Sequence, residues 1–420
     1  MKILVIGSGG REHALVKHFA ESSSVTKVFV TMGNAGMKTR AEVITMNVKD
    51  HKQVVQFCQI QKIDFVFIGP EEPLVDGLAD TLRNNHIKTI GPSKNAAQLE
   101  GSKIFAKKFM LDGQVATADA IVVSSVAETM AASASYNAPY VLKADGLAAG
   151  KGVFICLDKT QLKKAAEDLF VHKKLGEAGR QALLEKNLPG HELSFLVLTN
   201  GLSFQPLPIA QDHKRLQDGD KGPNTGGMGT IAPLQISELL YTKILKRVIQ
   251  PSIEQMKKEK MLFYGILFVG IMVVDGEPYA LEYNTRFGDP ETQVILPLIE
   301  NDLGLLFSRL ANGELEEVKT KALTAFCIVN AASGYPDFPE KNIPIELPDN
   351  EDSSYVLHAG TKEVNGQLVS NGGRVLNVIG LDADFEKAKQ KAYALNSKIK
   401  FAGRQFRTDL GNYQFQRNET

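Results

Sequence analysis

Glu282 and Asn284 stand two residues apart in a stretch that also holds Arg286, Asp289 and Glu291. Side chains at i and i+2 of a strand share a face, with α-carbons about 7 Å apart. A carboxylate and an amide oxygen set that way are hard ligands. They suit Mg²⁺, which takes few protein oxygens and keeps positions for water and phosphate; on ligand type alone Mn²⁺ serves as well. Arg286 is a fixed cation for phosphate or carboxylate. For Glu282 and Asn284 alone, a solvated hairpin end is the plain alternative. Five charged or metal-competent side chains within ten residues favour a metal–phosphate site.

Three further stretches carry chemistry. Asp145-Gly146-Leu147-Ala148-Ala149-Gly150-Lys151-Gly152 follows the strand Tyr140–Ala144 and precedes Val153–Leu157. It is not a Walker A motif, because three residues separate the glycines, Gly152 follows the lysine, and a strand comes next. It reads as a glycine-rich hairpin whose amides close over phosphates, with Lys143 and Lys151 as cations; a plain mobile hairpin is the alternative. Ala182–Glu185 is a strand that bends away through Lys186, Leu188 and Pro189, a segment able to meet an adenine edge, with Glu192 beyond it for ribose hydroxyls. Gln211-Asp212-His213-Lys214-Arg215 and Asn224-Thr225-Gly226-Gly227-Met228-Gly229 form the other polar concentration, and their glycines permit close backbone approach. His213 is expected to be hydrogen-bonded or exposed, not a base.

These residues need elements to hold them. Ile266–Val274, the turn Asp275-Gly276 and Pro278–Tyr283 read as the hairpin bearing Glu282. Residues 1 to about 92 alternate strand (Lys2–Ile6, Lys27–Thr31, Phe65–Ile68, Thr89–Gly91) and helix (Arg11–Glu21), which predicts a doubly wound parallel sheet. Its glycine turn matches a dinucleotide fingerprint poorly, since Glu12 stands where the third glycine belongs and no ribose-binding acid follows the second strand. The amides of Gly9 and Gly10 at a helix N-terminus are expected to hold an anion. Glu71 and Glu72 follow a strand toward the same edge, or serve only as helix N-terminal charge. Pro92 to Asp112 reads as one connecting helix on which Lys103, Lys107 and Lys108 form a solvated face. Residues 161 to 180 and Val294–Leu310 read as helices. From Ala325 a smaller α+β unit runs on, with Gly372-Gly373-Arg374 before the strand Val375–Ile379, a basic segment Arg404–Arg407, and a loosely held end at Asn412–Thr420.

Composition bounds the alternatives. The 420 residues, 43% hydrophobic and 23% charged, suffice for two to four domains. A formal net charge of zero argues against a general nucleic-acid or anionic-membrane binder. Cys58, Cys156 and Cys327 lie far apart in apolar patterns, so buried thiols in a reducing compartment are expected. No apolar run reaches the roughly 18 residues of a membrane span, and the chain opens into a strand; the cytoplasm is expected.

In order, these elements resemble the ATP-grasp carboxylate–amine ligases. The segments Gly7–Ala14, Gly91–Lys94 with Glu100–Lys103, Lys143–Gly152, Gln211–Arg215, Pro223–Gly229 and above all Arg286-Phe287-Gly288-Asp289-Pro290-Glu291-Thr292-Gln293 look like the phosphoribosylamine–glycine ligases (glycinamide ribonucleotide synthetases) of purine biosynthesis. The resemblance spans nearly the whole chain. It implies an N-terminal Rossmann-like domain (1–102), an ATP-grasp domain (103–324) with a nucleotide lid (118–190), and a C-terminal α+β domain (325–420). It also implies ATP with Mg²⁺ or Mn²⁺, the substrates glycine and 5-phosphoribosylamine, and a glycyl phosphate intermediate; a monomer is expected. By that resemblance Glu282 and Asn284 hold the metal, and Lys103, Lys143, Gly146, Gly150, Lys151 and Gly152 hold phosphates. Glu185, Lys186 and Leu188 meet adenine, and Glu192 the ribose. Arg286 stabilises the transferring phosphoryl group, with Lys143 and Asp212 as catalytic partners. Asp212, Lys214, Asn224, Thr225, Gly226 and Gly227 form the glycine side, while Gly9, Gly10, Glu71, Asp289, Glu291 and Arg374 complete the substrate side. The rivals are another ligase of that fold, a nicotinamide dehydrogenase, and a non-catalytic nucleotide-binding regulator.

Overall fold

In the computed structural model the described residues are 1–148 and 152–411. Gly150, Lys151 and the terminal segment 412–420 lie outside them.

Five parallel strands lie in the spatial order Thr89–Pro92, Phe65–Ile68, Lys2–Gly7, Lys27–Met32 and Glu42–Ile44. Their apolar runs are buried on both faces, as parallel strands between helices require. Ile3 and Val5 pack with Phe19 of the helix Gly10–Glu21 on one face. Leu4 and Ile6 pack with Val54 and Cys58 of His51–Gln61 on the other. The sheet is doubly wound, as predicted.

One long strand joins this sheet to the centre of the molecule. Phe263–Val274 pairs antiparallel with Thr89–Pro92 at Phe263 and Tyr264, with His191–Thr199 along nine residues, and with Glu277–Asn284 as a hairpin. Asp275 and Gly276 have φ of 50° and 71°, the two left-handed positions that an Asp-Gly hairpin turn accommodates. At the junction Gly91 has φ 151°, and a Cβ there would come within 2.6 Å of Leu74 of the helix Glu71–Asp76, so glycine lets that helix pack closely on the strand.

A separate four-stranded sheet, in the order Ala120–Val123, Ala182–Lys186, Tyr140–Ala144, Val153–Cys156, packs Leu142 and Leu184 against Leu162 and Ala166 of the helix Lys159–Ala166. The C-terminal sheet is antiparallel: Gln211–Asp212, Gly229–Ala232, Thr324–Ala331, Arg374–Asp382, Ser354–His358, with the helix Phe385–Ser397 against it. Two of its strands thus come from the polar stretch 211–232.

Three predicted helices are broken. The connector divides into Lys94–Gly101 and Lys103–Asp112 at Ser102, which is extended (φ −140°) and caps the second helix by accepting the Phe105 N–H at 3.0 Å. Beyond Ala166 the chain makes one wide turn, Glu167–Val171, and a short 3₁₀ turn, Gly176–Gly179; Lys173 and Gly176 with positive φ end the run. Residues 294–310 contain Pro297 and an Asp302 cap, giving Glu291–Ile295, the 3₁₀ turn Leu296–Leu298 and Leu303–Leu310. No described helix is long and apolar enough to cross a membrane. All three cysteines are buried and free.

Candidate functional site

A cavity of about 580 Å³ opens between the four-stranded sheet, the hairpin and the carboxyl edge of the parallel sheet. Its floor is shaped by a bulge. Gly270 pairs with Glu282 but Ile271 pairs with Ala280, leaving Leu281 as the extra residue. The bulge reverses the parity of the strand. Pro278 and Ala280 point into the core before it and Tyr283 after it, where the Tyr283 hydroxyl meets Ser252 Oγ at 2.6 Å. Glu282 and Asn284 therefore turn together to the cavity.

No hydrogen bond or ion pair among the described residues reaches the Glu282 carboxylate. Burial pushes that group up, but Lys214, Lys143, Lys103 and Arg286 outweigh burial and hold it below the usual carboxylate range. It is an ionised oxygen donor ringed by cations that do not touch it. Asn284 Oδ1 accepts one long bond from Arg286 Nη2 at 3.3 Å. Among the described residues no three His, Cys, Asp or Glu side chains converge on a point. A divalent ion here would take these two oxygens and complete its shell with phosphate and water, and the donor set fits Mg²⁺ or Mn²⁺.

Arg286 is fixed from behind. Nη2 pairs with Glu100 at 2.6 Å and Nε lies 3.4 Å from Glu71. Glu100 is buried and also accepts the Thr285 N–H at 2.8 Å. Both readings of Glu71 hold at once: it opens the helix Glu71–Asp76 and it faces the site, while exposed Glu72 pairs with Lys49.

Lys143 is buried and donates to the Leu281 carbonyl at 3.1 Å. Its other partner is the Glu185 carboxylate at 2.6 Å, which Lys107 approaches at 3.0 Å. Burial pushes Glu185 up, and the two ammonium groups more than reverse that. The Glu185 side chain is thus a counter-ion for lysines, and Lys186, Asn187 and Leu188 line the cavity beside it. Lys107 departs from the expected solvated face: it is 6% exposed and also donates to Thr117 and Ala118. Lys103, Ala106, Lys107 and Met110 recur at i, i+3, i+4 and i+7, one helix face, and that face lines the cavity. Only Lys108 is solvated, pairing with Asp112. Gly152 lines the cavity, and Gly146 packs outside its lining, against Ala178.

On the opposite wall Lys214 pairs with Glu192. Burial lowers Lys214, and Glu192, Glu282 and Asp212 raise it well above its usual value. Burial and the neighbouring Glu291 push the Asp212 carboxyl up, and burial does the same to Glu291, whose Oε1 accepts from Ser194 at 3.0 Å. Asn224, Thr225 and Gly226 line the cavity; Gly227 lies behind, where a Cβ would meet Asp212 and Pro290. Arg374 reaches across from the C-terminal sheet to the carbonyls of Gly226 and Asp289, with the Asp289 carboxylate 3.6 Å away. His213 is buried and neutral, its Nδ1 3.1 Å from the Gly229 carbonyl and its Nε2 accepting the Gly411 N–H at 3.4 Å.

The N-terminal turn differs from its sequence reading. Gly9 N–H donates to Glu12 Oε2 at 2.7 Å, so the chain's own carboxylate takes the amide expected to meet an anion. A Cβ at Gly7 or Gly69 would strike that side chain, so Glu12 fills the turn a dinucleotide would need. Gly10 is buried against Asn377 and Gln293. Arg11 lines the cavity instead, with Nη1 on the Phe287 carbonyl at 3.1 Å. Glu100 and Lys107 are the site residues that spacing alone missed, and for Lys107 its place on the buried face of a helix was the available signal.

Three family models match consecutive parts of the chain: the Phosphoribosylglycinamide synthetase N domain over residues 1–100, the ATP-grasp (A) domain over 101–292, and the C domain over 325–413. The chain is 42% identical over 415 residues to a phosphoribosylamine–glycine ligase of Rhizobium meliloti, covering 98% of each. It is 40% identical over 414 residues to one of Halalkalibacterium halodurans, covering 98% of this chain and 97% of the relative. The crystal structure of phosphoribosylamine–glycine ligase from Thermotoga maritima superposes with a TM-score of 0.86 at 36% identity, over 97% of this chain and all of that one.

Proposed function

The chain belongs to the phosphoribosylglycinamide synthetase family, and from that premise we propose that it joins glycine to 5-phosphoribosylamine through a glycyl phosphate. It is an ATP-grasp ligase of purine biosynthesis and forms glycinamide ribonucleotide.

A carboxylate is a poor acylating agent because its leaving group is oxide. The glycine carboxylate attacks the γ-phosphate of ATP, ADP leaves, and the acyl phosphate so formed carries a good leaving group. The amine of phosphoribosylamine then adds to the acyl carbon, phosphate departs and the amide remains. Little covalent chemistry falls to the protein, whose work is positioning and charge neutralisation. That matches a cavity whose described lining holds lysines, arginines and two oxygen ligands.

Lys103 and Lys143, with the loop ending at Gly152, hold the phosphates. Glu282 and Asn284 would hold Mg²⁺ or Mn²⁺, which when bound neutralises phosphate charge. Arg286, steadied by Glu100 and Glu71, faces the transferring phosphoryl group. The backbone of Lys186 to Leu188 receives adenine and Glu192 the ribose. The stretches 212–215 and 224–227 hold glycine, while Glu71, Asp289 and Arg374 face phosphoribosylamine. We read 1–102, 103–324 and 325–420 as the domains, with 118–190 as the lid, and a monomer working in the cytoplasm.

The observation that carries this reading is Glu282: an ionised carboxylate with four cations around it and no described partner. The glycyl phosphate is tested with glycine labelled by heavy oxygen in its carboxylate. One labelled oxygen should appear in each phosphate released; unlabelled phosphate would exclude the intermediate.

A further inference from the structure

The wall that carries Asp212, Lys214, Asn224, Thr225 and Gly226 runs from the strand Gln211–Asp212 through a ribbon, Arg215–Gln217 paired with Lys221–Asn224, whose tip at residues 218–220 projects into solvent. A two-stranded ribbon on its own is marginal. Its tip is held by a segment about 190 residues further on. Asp220 Oδ1 accepts from Arg407 Nη1 at 2.6 Å, and the same nitrogen donates to the Arg215 carbonyl at 3.3 Å. Gly219 N–H donates to Asp409 at 2.7 Å, and Asp218 accepts from the Thr408 N–H at 2.9 Å and from its hydroxyl. Among the described residues the tip has no other hydrogen-bonded anchor.

Arg407 is the centre of this contact. It is an arginine with no exposed surface, and Asp409 accepts from its Nε and Nη2 at 2.7 and 2.8 Å. A buried guanidinium is expensive unless its fork is satisfied, and here two carboxylates and a carbonyl satisfy it. The adjoining Leu410 closes the base: a Cβ on Gly229 would come within 2.3 Å of it. At the ribbon's other end Tyr335 accepts the Gly226 N–H at 2.9 Å and Arg374 takes the Gly226 carbonyl. Both ends of the ribbon therefore depend on the C-terminal region, which among the described residues lines the cavity with Arg374 alone.

We propose that the segment Arg407–Gly411 is a strap that sets the position of the ribbon, and that Arg407 is a positioning residue for the co-substrates and not for the nucleotide. The inference rests on the reading of this ribbon as the co-substrate wall. Arg407 acts through Asp220 and the Arg215 carbonyl on Lys214 and Asn224, and a displacement of about 1 Å at the reacting groups is worth up to a hundredfold in rate.

The test compares Asp220→Asn, Arg407→Met, Arg407→Lys and, as a reference inside the wall, Asn224→Ala. KM for glycine, phosphoribosylamine and ATP is measured for each, with a melting curve. Asp220 is more than half exposed, so its variant keeps the fold if Arg407→Met does not. The expected result is a rise of about tenfold or more in KM for a co-substrate with KM for ATP within about twofold, and partial recovery in Arg407→Lys. Lower melting temperatures with every KM unchanged would make the strap a structural staple and overturn the proposal. If Asn224→Ala moves the co-substrate KM and the strap variants do not, the wall reading stands and the strap fails. If Asn224→Ala moves neither, the wall reading itself falls, and the proposal with it.

Discussion

Arg286 Nη2 lies 2.6 Å from Glu100 Oε1, and the other oxygen of that buried carboxylate accepts the N–H of Thr285, the residue just before the arginine. One side chain thus holds both the guanidinium and the backbone that carries it. Glu100→Gln keeps the shape and removes the charge. We predict a fall in kcat of about ten- to a hundredfold with KM for ATP little changed, because a misdirected Arg286 acts on the transferring group. Glu100→Ala removes the nearest carboxylate partner of the partly buried guanidinium, at a cost of about 1–3 kcal/mol in a denaturant titration. Full turnover in both variants would remove Arg286 from its role.

Glu282→Ala should abolish turnover, by about a thousandfold or more, while the melting temperature stays close to that of the parent. The carboxylate makes no described contact whose loss would loosen the fold. Near-normal turnover with Mg²⁺, or an unfolded variant, would sink the metal assignment.

Much of this site was legible because its parts are local. The Asp275-Gly276 turn, the i and i+2 spacing of Glu282 and Asn284 and the glycine-rich hairpin are each set by a few neighbouring residues. What escaped depends on distant partners. Ser102 breaks the connector by bonding Asp145, as well as by capping. Lys107 is buried only because Glu185 comes to meet it, and the Leu281 bulge is visible only against the facing strand. Glu12 is the local exception: it stands three residues after Gly9, the capping-box spacing, and its carboxylate takes the Gly9 amide. Arg407 reads in sequence only as part of a basic segment, because its carboxylate partner Asp220 lies 187 residues away.

Glu185 gives the four-stranded sheet a pH dependence. Its carboxyl is held below the ordinary value of 4.5 by Lys143 and Lys107, so the stability it contributes is complete above that value. As pH falls below about 4.5 the unfolded state takes up the proton first, and this contribution is lost. Glu185→Gln should flatten the acid limb of stability against pH and raise KM for ATP by freeing Lys143. An unchanged acid limb would show that the pair is not coupled to folding.

His13 is buried against His358, and burial with that neighbour lowers it to about 3 from 6.5. It stays neutral in the fold and charges on unfolding. Stability should therefore fall as pH drops from 6.5 toward 3, by up to about 1.4 kcal/mol per pH unit from this group. His13→Asn, which keeps an acceptor for the His358 N–H, should remove that slope in urea titrations at stepped pH. A slope equal to the parent's would assign it to other groups.

The central claim is best tested by ADP release from Mg-ATP, with glycine and phosphoribosylamine supplied singly and together. Release that requires both, with glycinamide ribonucleotide formed in equal amount, is the predicted result. Release driven by a different acid or amine, or ATP binding without hydrolysis under any pairing, would contradict it.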